Sequence, residues 1–582
     1  MGNQCEHDSA TLDNALEKLF DERKDFIIIG LTGRTGAGCT TAANILTKNF
    51  DELYLPKPDN NNINNNEDRK YRILYNYCKQ NWEKFIKIEM RNIITSFLLE
   101  EDYKSFKQFI ESNKNISNKE NIIKEIESDL FESKYSKMHE NRNKVKCLIE
   151  ENEENLVKDE VYNFYFEDLP KFTINLKECI ENIDKKSYTT LYQDIANNIR
   201  SSGKAFHNGF ICENIHKLSQ RTNVLIKILR KRNKIKIKEK KEGRVLVVID
   251  ALRNPYEVTF FKDRYSAFYQ IAINVDEEIR KSRLFKLNFD EEEIKKIDSI
   301  EYSNKNTGDK IFSNQNIRKC IELADIYIDN SQQTKDYSEL KKKIAKYITL
   351  IMHPGLITPT HIERTMQIAY DAKMNSGCIS RQVGAVVTDD QFAIKSIGWN
   401  SVAENQVPCN LRDMKSLISN EDKDSFSKYE IEDDDFKKVC EDKNKIFESS
   451  NTGGRLYPYC FKDIYNDDVK KEGKNQVHTR SLHAEENAFL QISKYGGQGL
   501  YGGNLFTTAS PCELCAKKAY QLGIKNIYYI DPYPGISEKH ILNCGINKPK
   551  MILFEGVIGR AFSQLYTQII PYKDEIELLL TK

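Results

Sequence analysis

At 582 residues the chain is too long for one core, since single cores stop growing at roughly 250–300 residues and longer chains divide into domains. Its 88 Lys and Arg nearly cancel its 87 Asp and Glu, leaving a formal charge of +1. That balance excludes the global cationic field that holds proteins on nucleic acid or membrane surfaces, and it suits a small, locally bound substrate. Fourteen cysteines are scattered through the chain, with no secretory apolar segment and no run long enough for a bilayer, as expected of a reduced, cytoplasmic protein without membrane contact. Gly2 fits an acylation signal, but Glu6 stands where Ser or Thr is wanted, so the start reads as an ordinary N-terminus.

Phe26-Ile-Ile-Ile-Gly-Leu-Thr is predicted to be a buried parallel strand, and Cys39-Thr-Thr-Ala-Ala-Asn-Ile-Leu a helix. Between them, Gly33-Arg34-Thr35-Gly36-Ala37-Gly38-Cys39-Thr40 has the glycines and threonine of a phosphate-binding Walker A loop, with Cys39 in the lysine position. Its amides and the helix start can still cradle phosphate, but the cation that neutralises the β- and γ-phosphates during transfer is missing. The expectation is a bound nucleotide, with Mg²⁺, and no efficient phosphoryl transfer; a glycine turn without a ligand is the alternative. Residues 51–241 are charged and helical in pattern, interrupted by an asparagine tract from Asn60 and ending in a basic run from Arg230 to Lys241. Val245 to Asp250 is a second strand, whose Asp250 is either a partner for Mg²⁺ or a strand cap, and Ala267 to Val275 a third apolar stretch. Alternating strands and helices imply a parallel sheet. Ala324 to Asn330 resembles the last strand of small-molecule kinases of the dephospho-coenzyme A kinase type, so a P-loop nucleotide-kinase-like domain with a long helical insertion is expected over 1–340.

A second domain is expected over 350–582. Thr358-Pro359 reads as a helix start, the helix running to about Ser376. Gln382 to Thr388 and Phe392 to Gly398 form a hairpin, a charged insertion fills about 404–479, and helices at His483 and Cys512 alternate with strands at Asn504, Asn526 and Met551. His483-Ala484-Glu485 and Pro511-Cys512-Glu-Leu-Cys515 match the H-x-E…P-C-x-x-C signature of zinc deaminases. One imidazole and two thiolates supply the three protein ligands of a catalytic Zn²⁺ site, whose fourth position takes water. Glu485, two residues past the histidine, is placed to shuttle protons rather than to ligate. A structural zinc site or redox pair is the competing reading, with Cys409, Cys460 or His478 as a closing ligand at no diagnostic spacing.

His483-Ala-Glu-Glu-Asn-Ala-Phe and Thr507-Thr-Ala-Ser-Pro-Cys-Glu-Leu-Cys-Ala-Lys-Lys resemble the cytidine and deoxycytidylate deaminase superfamily, a fold of the αβα sandwich type. Arg381-Gln-Val-Gly-Ala-Val-Val and Gly398-Trp-Asn400 are similar to its first two strands. This resemblance implies that Asn400 and Asn487 bind sugar or base and that the Ala484 amide faces the pyrimidine carbonyl. The two halves in this order, with Ser376-Gly-Cys-Ile-Ser-Arg and Gln406-Val-Pro-Cys-Asn-Leu-Arg412, resemble the bacterial anti-phage dCTP deaminase family. That family implies deamination of free dCTP and dCMP, depletion of the dCTP pool, restraint by an inhibitory small RNA in some members, and a homo-oligomer. Arg381, Arg412 and Lys517 are candidate phosphate contacts. The rival readings are an RNA or single-stranded DNA deaminase, which needs a basic, aromatic-bearing surface near the pocket, and a P-loop sensor or kinase whose deaminase domain is secondary.

Overall fold

The computed structural model describes residues 15–580 apart from 22, 60, 62, 239–242, 303–307, 333, 335, 472–474, 497–498 and 532–535. Gly2, Glu6 and the end of the basic run therefore lie outside the described residues. The chain divides into two compact units, Met1–Thr358 with Ser563–Lys582, and Pro359–Phe562.

In the first unit, β1 (Phe26–Thr32), β2 (Ile86–Glu89), β3 (Val245–Asp250), β4 (Phe268–Asn274) and β5 (Ile326–Asp329) pair in parallel, in the order β5-β4-β1-β3-β2. Near-continuous apolar runs make β1, β3 and β4, which are covered on both faces. β2 was not expected: it is four residues long, at the sheet edge, and alternates Ile with Lys and Glu, so no apolar run announces it. The glycine loop joins β1 to α1 (Cys39–Leu46). Between β2 and β3 the charged stretch folds as helices round an apolar cluster that includes Phe106, Tyr135, Leu176 and Ile195. Its longest member is α2 (Leu169–Ser202), bent at Asp184.

The first unit also claims the C-terminus, against the expectation that the second domain runs to 582. Glu575 accepts a 2.8 Å bond from the His353 ring, which stacks on Phe20 at 4.3 Å, and Gly355 N–H donates to Leu565 O. A helix of nine residues that mixes charged and apolar side chains, Tyr572–Leu580, carries no label in its sequence for the partner it packs on.

The second unit has a five-stranded sheet, order β12-β11-β10-β6-β7, from β6 (Gly384–Thr388), β7 (Ile394–Trp399), β10 (Asn504–Ala509), β11 (Asn526–Asp531) and β12 (Lys550–Leu553). β6 runs antiparallel to both β7 and β10, while β10, β11 and β12 are parallel. A short pair, β8 (Ser401–Val402) with β9 (Ser481–Leu482), brings together the two ends of the insertion. The helix predicted from Pro359 begins later: α3 (His361–Ala372) is capped by Thr360, whose hydroxyl accepts from Glu363 N–H while the Glu363 carboxylate reaches back. Side chains alternate along β6. Gly384 lies against Ala369 of α3, while Ala385 and Val387 join a core with α4 (Ala484–Tyr495) and α5 (Glu513–Gln521), giving helices on both faces. The insertion has its own small core round Met414, Phe436 and Tyr459. Among the described residues, no helix is long and apolar enough to cross a membrane.

Candidate zinc centre and the glycine loop

Two helix starts build the centre. His483 is the N-cap residue of α4 and Cys512 that of α5, so Ala484 and Glu485 fall in the first turn of α4 and Cys515 in that of α5. α4 is held on β7 by close backbone contact: a Cβ on Gly398 would lie 2.4 Å from Ala484 O and Ala488 N, so only glycine fits. Ser396 Oγ donates to Ala488 O and Asn487 Nδ2 to Trp399 O, locking the same interface.

His483 Nδ1 lies 3.3 Å from Cys512 Sγ and 3.4 Å from Cys515 Sγ. Zn–S near 2.3 Å and Zn–N near 2.0–2.1 Å at tetrahedral angles require an N···S edge of about 3.6 Å, so the donors fit this metal. Among the described residues these three are the one group of His, Cys, Asp or Glu whose ligand atoms converge; Cys409, Cys460 and His478 do not join them. Cys515 donates to Cys512, which holds the Cys512 thiol down at about 4 against its burial, with His483 adding to the effect. The same bond, with burial, raises Cys515, and the Cys512 contact raises His483.

Glu485 is buried at 4% exposure, and that burial pushes its carboxyl above the ordinary range, partly offset by its backbone bond and by His483. The Thr507 hydroxyl, which donates to Ala509 O at 2.7 Å, lies 3.4 Å from Glu485 Oε1. Asn400, a candidate sugar contact, spends its side chain on the neighbouring loop: Oδ1 accepts from Val383 N–H at 2.7 Å and Nδ2 donates to Arg381 O at 2.6 Å. Arg381 pairs with Asp531, and Lys517 is exposed on α5. Arg412 is fully buried in the insertion core, paired with Glu430 and donating to Tyr459 Oη at 2.7 Å, so it is a structural cation and not a phosphate contact.

In the first unit the glycine loop is gripped from outside. Thr35 gives both its N–H (3.2 Å) and its hydroxyl (2.5 Å) to the carboxylate of Glu301, which Arg253 holds at 2.8 Å. Arg34 pairs with Glu277 and Asp298; Arg280 donates to Thr35 O, and Arg283 to Gly36 O and Ala37 O. Asn330 Nδ2 reaches Ala37 O at 2.8 Å and would clash with any Cβ on Gly38, whose φ of +110° already demands glycine. Asp250 is raised by burial, less so for its bond with the Thr40 side chain. Cys39 is pushed up to about 12 by burial and by Asp250. Sequence reasoning found the loop but not Glu301, Arg280 or Arg283, which lie hundreds of residues away and look like ordinary helix-surface charges.

A sheet with helices on both faces, two helix starts converging on a His-Cys-Cys donor set and a buried glutamate two residues past the histidine define a deaminase-type zinc centre. The family model and the sequence relatives agree. The family described as "Cytidine and deoxycytidylate deaminase zinc-binding region" matches residues 359–531, so the second unit carries a deoxycytidylate-deaminase-like domain. The deoxycytidylate deaminase of Enterobacteria phage T2 is 29% identical over 194 residues, spanning 32% of this chain and 91% of that protein. The deoxycytidylate deaminase of Enterobacteria phage T4 is 28% identical over 169 residues, 29% of this chain and 76% of that one. A crystal structure of dCMP deaminase from cyanophage S-TIM5 aligns with 19% identity and a TM-score of 0.20, covering 34% of this chain and 100% of that one.

Proposed function

We propose that this protein hydrolyses the exocyclic amine of free cytosine deoxynucleotides, dCTP and dCMP, and so drains the dCTP pool in defence against phage. The observation that carries the reading is the His483, Cys512 and Cys515 donor set, within reach of one ion and beside a buried carboxyl that does not belong to it. These three residues would hold Zn²⁺, whose chemistry when bound is that of a Lewis acid able to lower the pKa of a water towards about 7.

The protein's own groups do the rest. Burial raises the Glu485 carboxyl, which makes its carboxylate a stronger base towards the attacking water than an exposed one, and the acid so formed then delivers that proton to ring N3. Water oxygen bonds to C4, the C4–N bond breaks, and a second proton passed by Glu485 leaves with the amine as ammonia, so the ring becomes uracil. The Ala484 amide, in the first turn of α4, is assigned to the pyrimidine carbonyl by resemblance to the deaminase superfamily, and a helix N-terminus suits that role. Asn487 and Gly398 seat that helix on β7, so they position Glu485 through the backbone. The first unit is read as a nucleotide-binding control domain, with the Cys39-for-lysine loop arguing against phosphoryl transfer; an inhibitory RNA and self-association belong to the same family-based reading.

Incubating the zinc-loaded protein with dCMP, dCTP, CMP, CTP, deoxycytidine and a cytosine-containing oligonucleotide, with ammonia and product mass measured, tests this. Release from dCMP or dCTP is expected. Turnover of the oligonucleotide alone would transfer the protein to the polynucleotide deaminases.

A further inference from the structure

Beside the glycine loop, at the carboxyl ends of β2 and β3, lies a cavity of about 330 Å³. This is where ligands enter open parallel sheets, and the volume is at the small end of ligand sites. Its floor is charged in both senses, with Glu89 and Arg91 on one side and Asp250 and Arg253 on the other. Its far wall is α2, which contributes Tyr188 and Tyr192, whose rings lie 4.5 Å apart, and the amide of Gln193. Two more lining residues, Glu257 and Gln315, are 1% and 6% exposed, and each carries a buried oxygen, Oε2 and Oε1, with no hydrogen-bond partner. Buried polar atoms left in that state ask for an explanation, and a polar ligand is one.

Glu301 restricts what that ligand is. Its carboxylate is fully buried and already bonded to the Thr35 amide and hydroxyl, an anion set into the loop by the protein itself. A chain of phosphates running into the loop would meet this charge in a poorly solvated place, where like charges repel strongly.

We propose that the cavity binds a nucleoside carrying at most one phosphate, and that Glu301 excludes triphosphates from it. The tyrosine pair, with Ile94 and Phe289 nearby, gives a flat ring an apolar and aromatic wall. Gln193 offers a donor and an acceptor to the ring edge, and the carboxylates of Glu89 and Asp250 accept from sugar hydroxyls. The lining cations are already matched, Arg253 by Glu301, Arg91 by Glu89, Arg200 by Glu257 and Lys177 by Glu181, so no surplus positive charge is left to neutralise a chain of phosphates. The inference rests on reading the first unit as a nucleotide-binding domain, and narrows that reading to a product of dephosphorylation or a substrate of nucleoside phosphorylation.

Calorimetric titration of the full-length, zinc-loaded protein with thymidine, deoxyadenosine and deoxyguanosine, and with their 5′-mono- and triphosphates, tests it without interference from turnover. At least one nucleoside or monophosphate is expected to bind, with its triphosphate at least about tenfold weaker. Thr189→Trp, which fills the cavity from α2, and Gln193→Leu should each weaken that binding by about tenfold or more, with cooperative melting retained. Glu301→Gln should bring the triphosphate up towards the monophosphate. If triphosphates bind best to the unaltered protein, the inference falls while the nucleotide-binding reading stands; if nothing in the panel binds, both fall. Unchanged affinity in Thr189→Trp and Gln193→Leu overturns the placement of the site.

Discussion

Cys39 opens α1 after a glycine loop and Cys512 caps α5 after a proline, so each thiol sits at a helix N-terminus, where the backbone dipole favours a thiolate. The two nevertheless diverge. Cys512 is drawn down to about 4 by the thiol of Cys515, whereas Cys39 is pushed up to about 12 by burial and by Asp250. The helix end supplies the same modest bias in both places, and the neighbours decide the outcome. Round Cys512 the chain converges an imidazole and two thiols within reach of one point, a donor set that calls for a metal cation. Round the glycine loop it gathers arginines and carboxylates that satisfy one another and the loop, a structure that closes on itself.

The sharpest way to break this comparison is to remove the one acid at the zinc centre that is not a ligand. Glu485→Gln should lower kcat by about 10²–10⁴-fold while zinc stoichiometry, read by mass spectrometry under native conditions, stays that of the unaltered protein. His483→Ala should lose metal and activity together. If Glu485→Gln lost its zinc instead, the carboxyl would be a ligand and the division of labour at this centre would be wrong.

That centre was legible because all its chemistry lies in two short motifs at helix starts, where spacing fixes geometry. The main strands were also plain: β1 and β3 of the first unit are near-continuous apolar runs, and β10 beside the zinc centre combines Leu505 and Phe506 with two β-branched threonines. What stayed hidden was held by distant partners. Glu301 reaches Thr35 across 266 positions, and β2 is too short and too charged to stand out. Arg412 shows the same limit from the other side. It was a candidate phosphate contact, but burial beside Glu430 and Tyr459 assigns it to the core of the insertion.

Arg412 and Glu430 give the next largest effect, and they test whether self-satisfied charge is structural. Burial alone would raise the Glu430 carboxyl, but Arg412 and the Ser427 amide outweigh it and hold it below the usual range. A depressed carboxyl contributes stability that is complete above the unfolded value, about 4.3, and lost as pH falls through the lower folded value. Glu430→Gln leaves Arg412 buried and unpaired, and should cost about 3–5 kcal/mol near neutrality. The gap between the two proteins in thermal melts should then shrink below about pH 4, where the unaltered protein loses the same charge. A gap that does not change with pH would mean that the ion pair is not what Gln removes.

Gly398 tests the support of the zinc centre rather than its ligands. A side chain there meets Ala484 O and Ala488 N at 2.4 Å, so Gly398→Val must push α4 off β7 and carry Glu485 with it. A displacement of that order costs about 10²-fold in rate when it misplaces a reacting group, and kcat should fall accordingly with KM little changed. Full activity in Gly398→Val would show that α4 is positioned by its other contacts, Ser396 and Asn487, alone.

The smallest effect is a reaction that should not occur. With the Cys39 thiol at about 12, the thiolate fraction at pH 8 is about one in 10⁴, against roughly a quarter for an ordinary thiol near 8.5. Iodoacetamide at pH 8 should therefore label the exposed Cys147 and Cys544 quickly and leave Cys39 untouched until the protein is unfolded, as read by peptide mass spectrometry. Burial is the larger cause, and Asp250, at the end of β3 beside the loop, adds to it because its charge opposes a second anion at Cys39. Replacing Asp250 with Asn should lower the Cys39 thiol and raise its labelling rate, while burial keeps it below that of Cys147. Rapid labelling of Cys39 in the folded, unaltered protein would mean that the helix N-terminus outweighs its neighbours there, and the contrast with Cys512 would lose its physical basis.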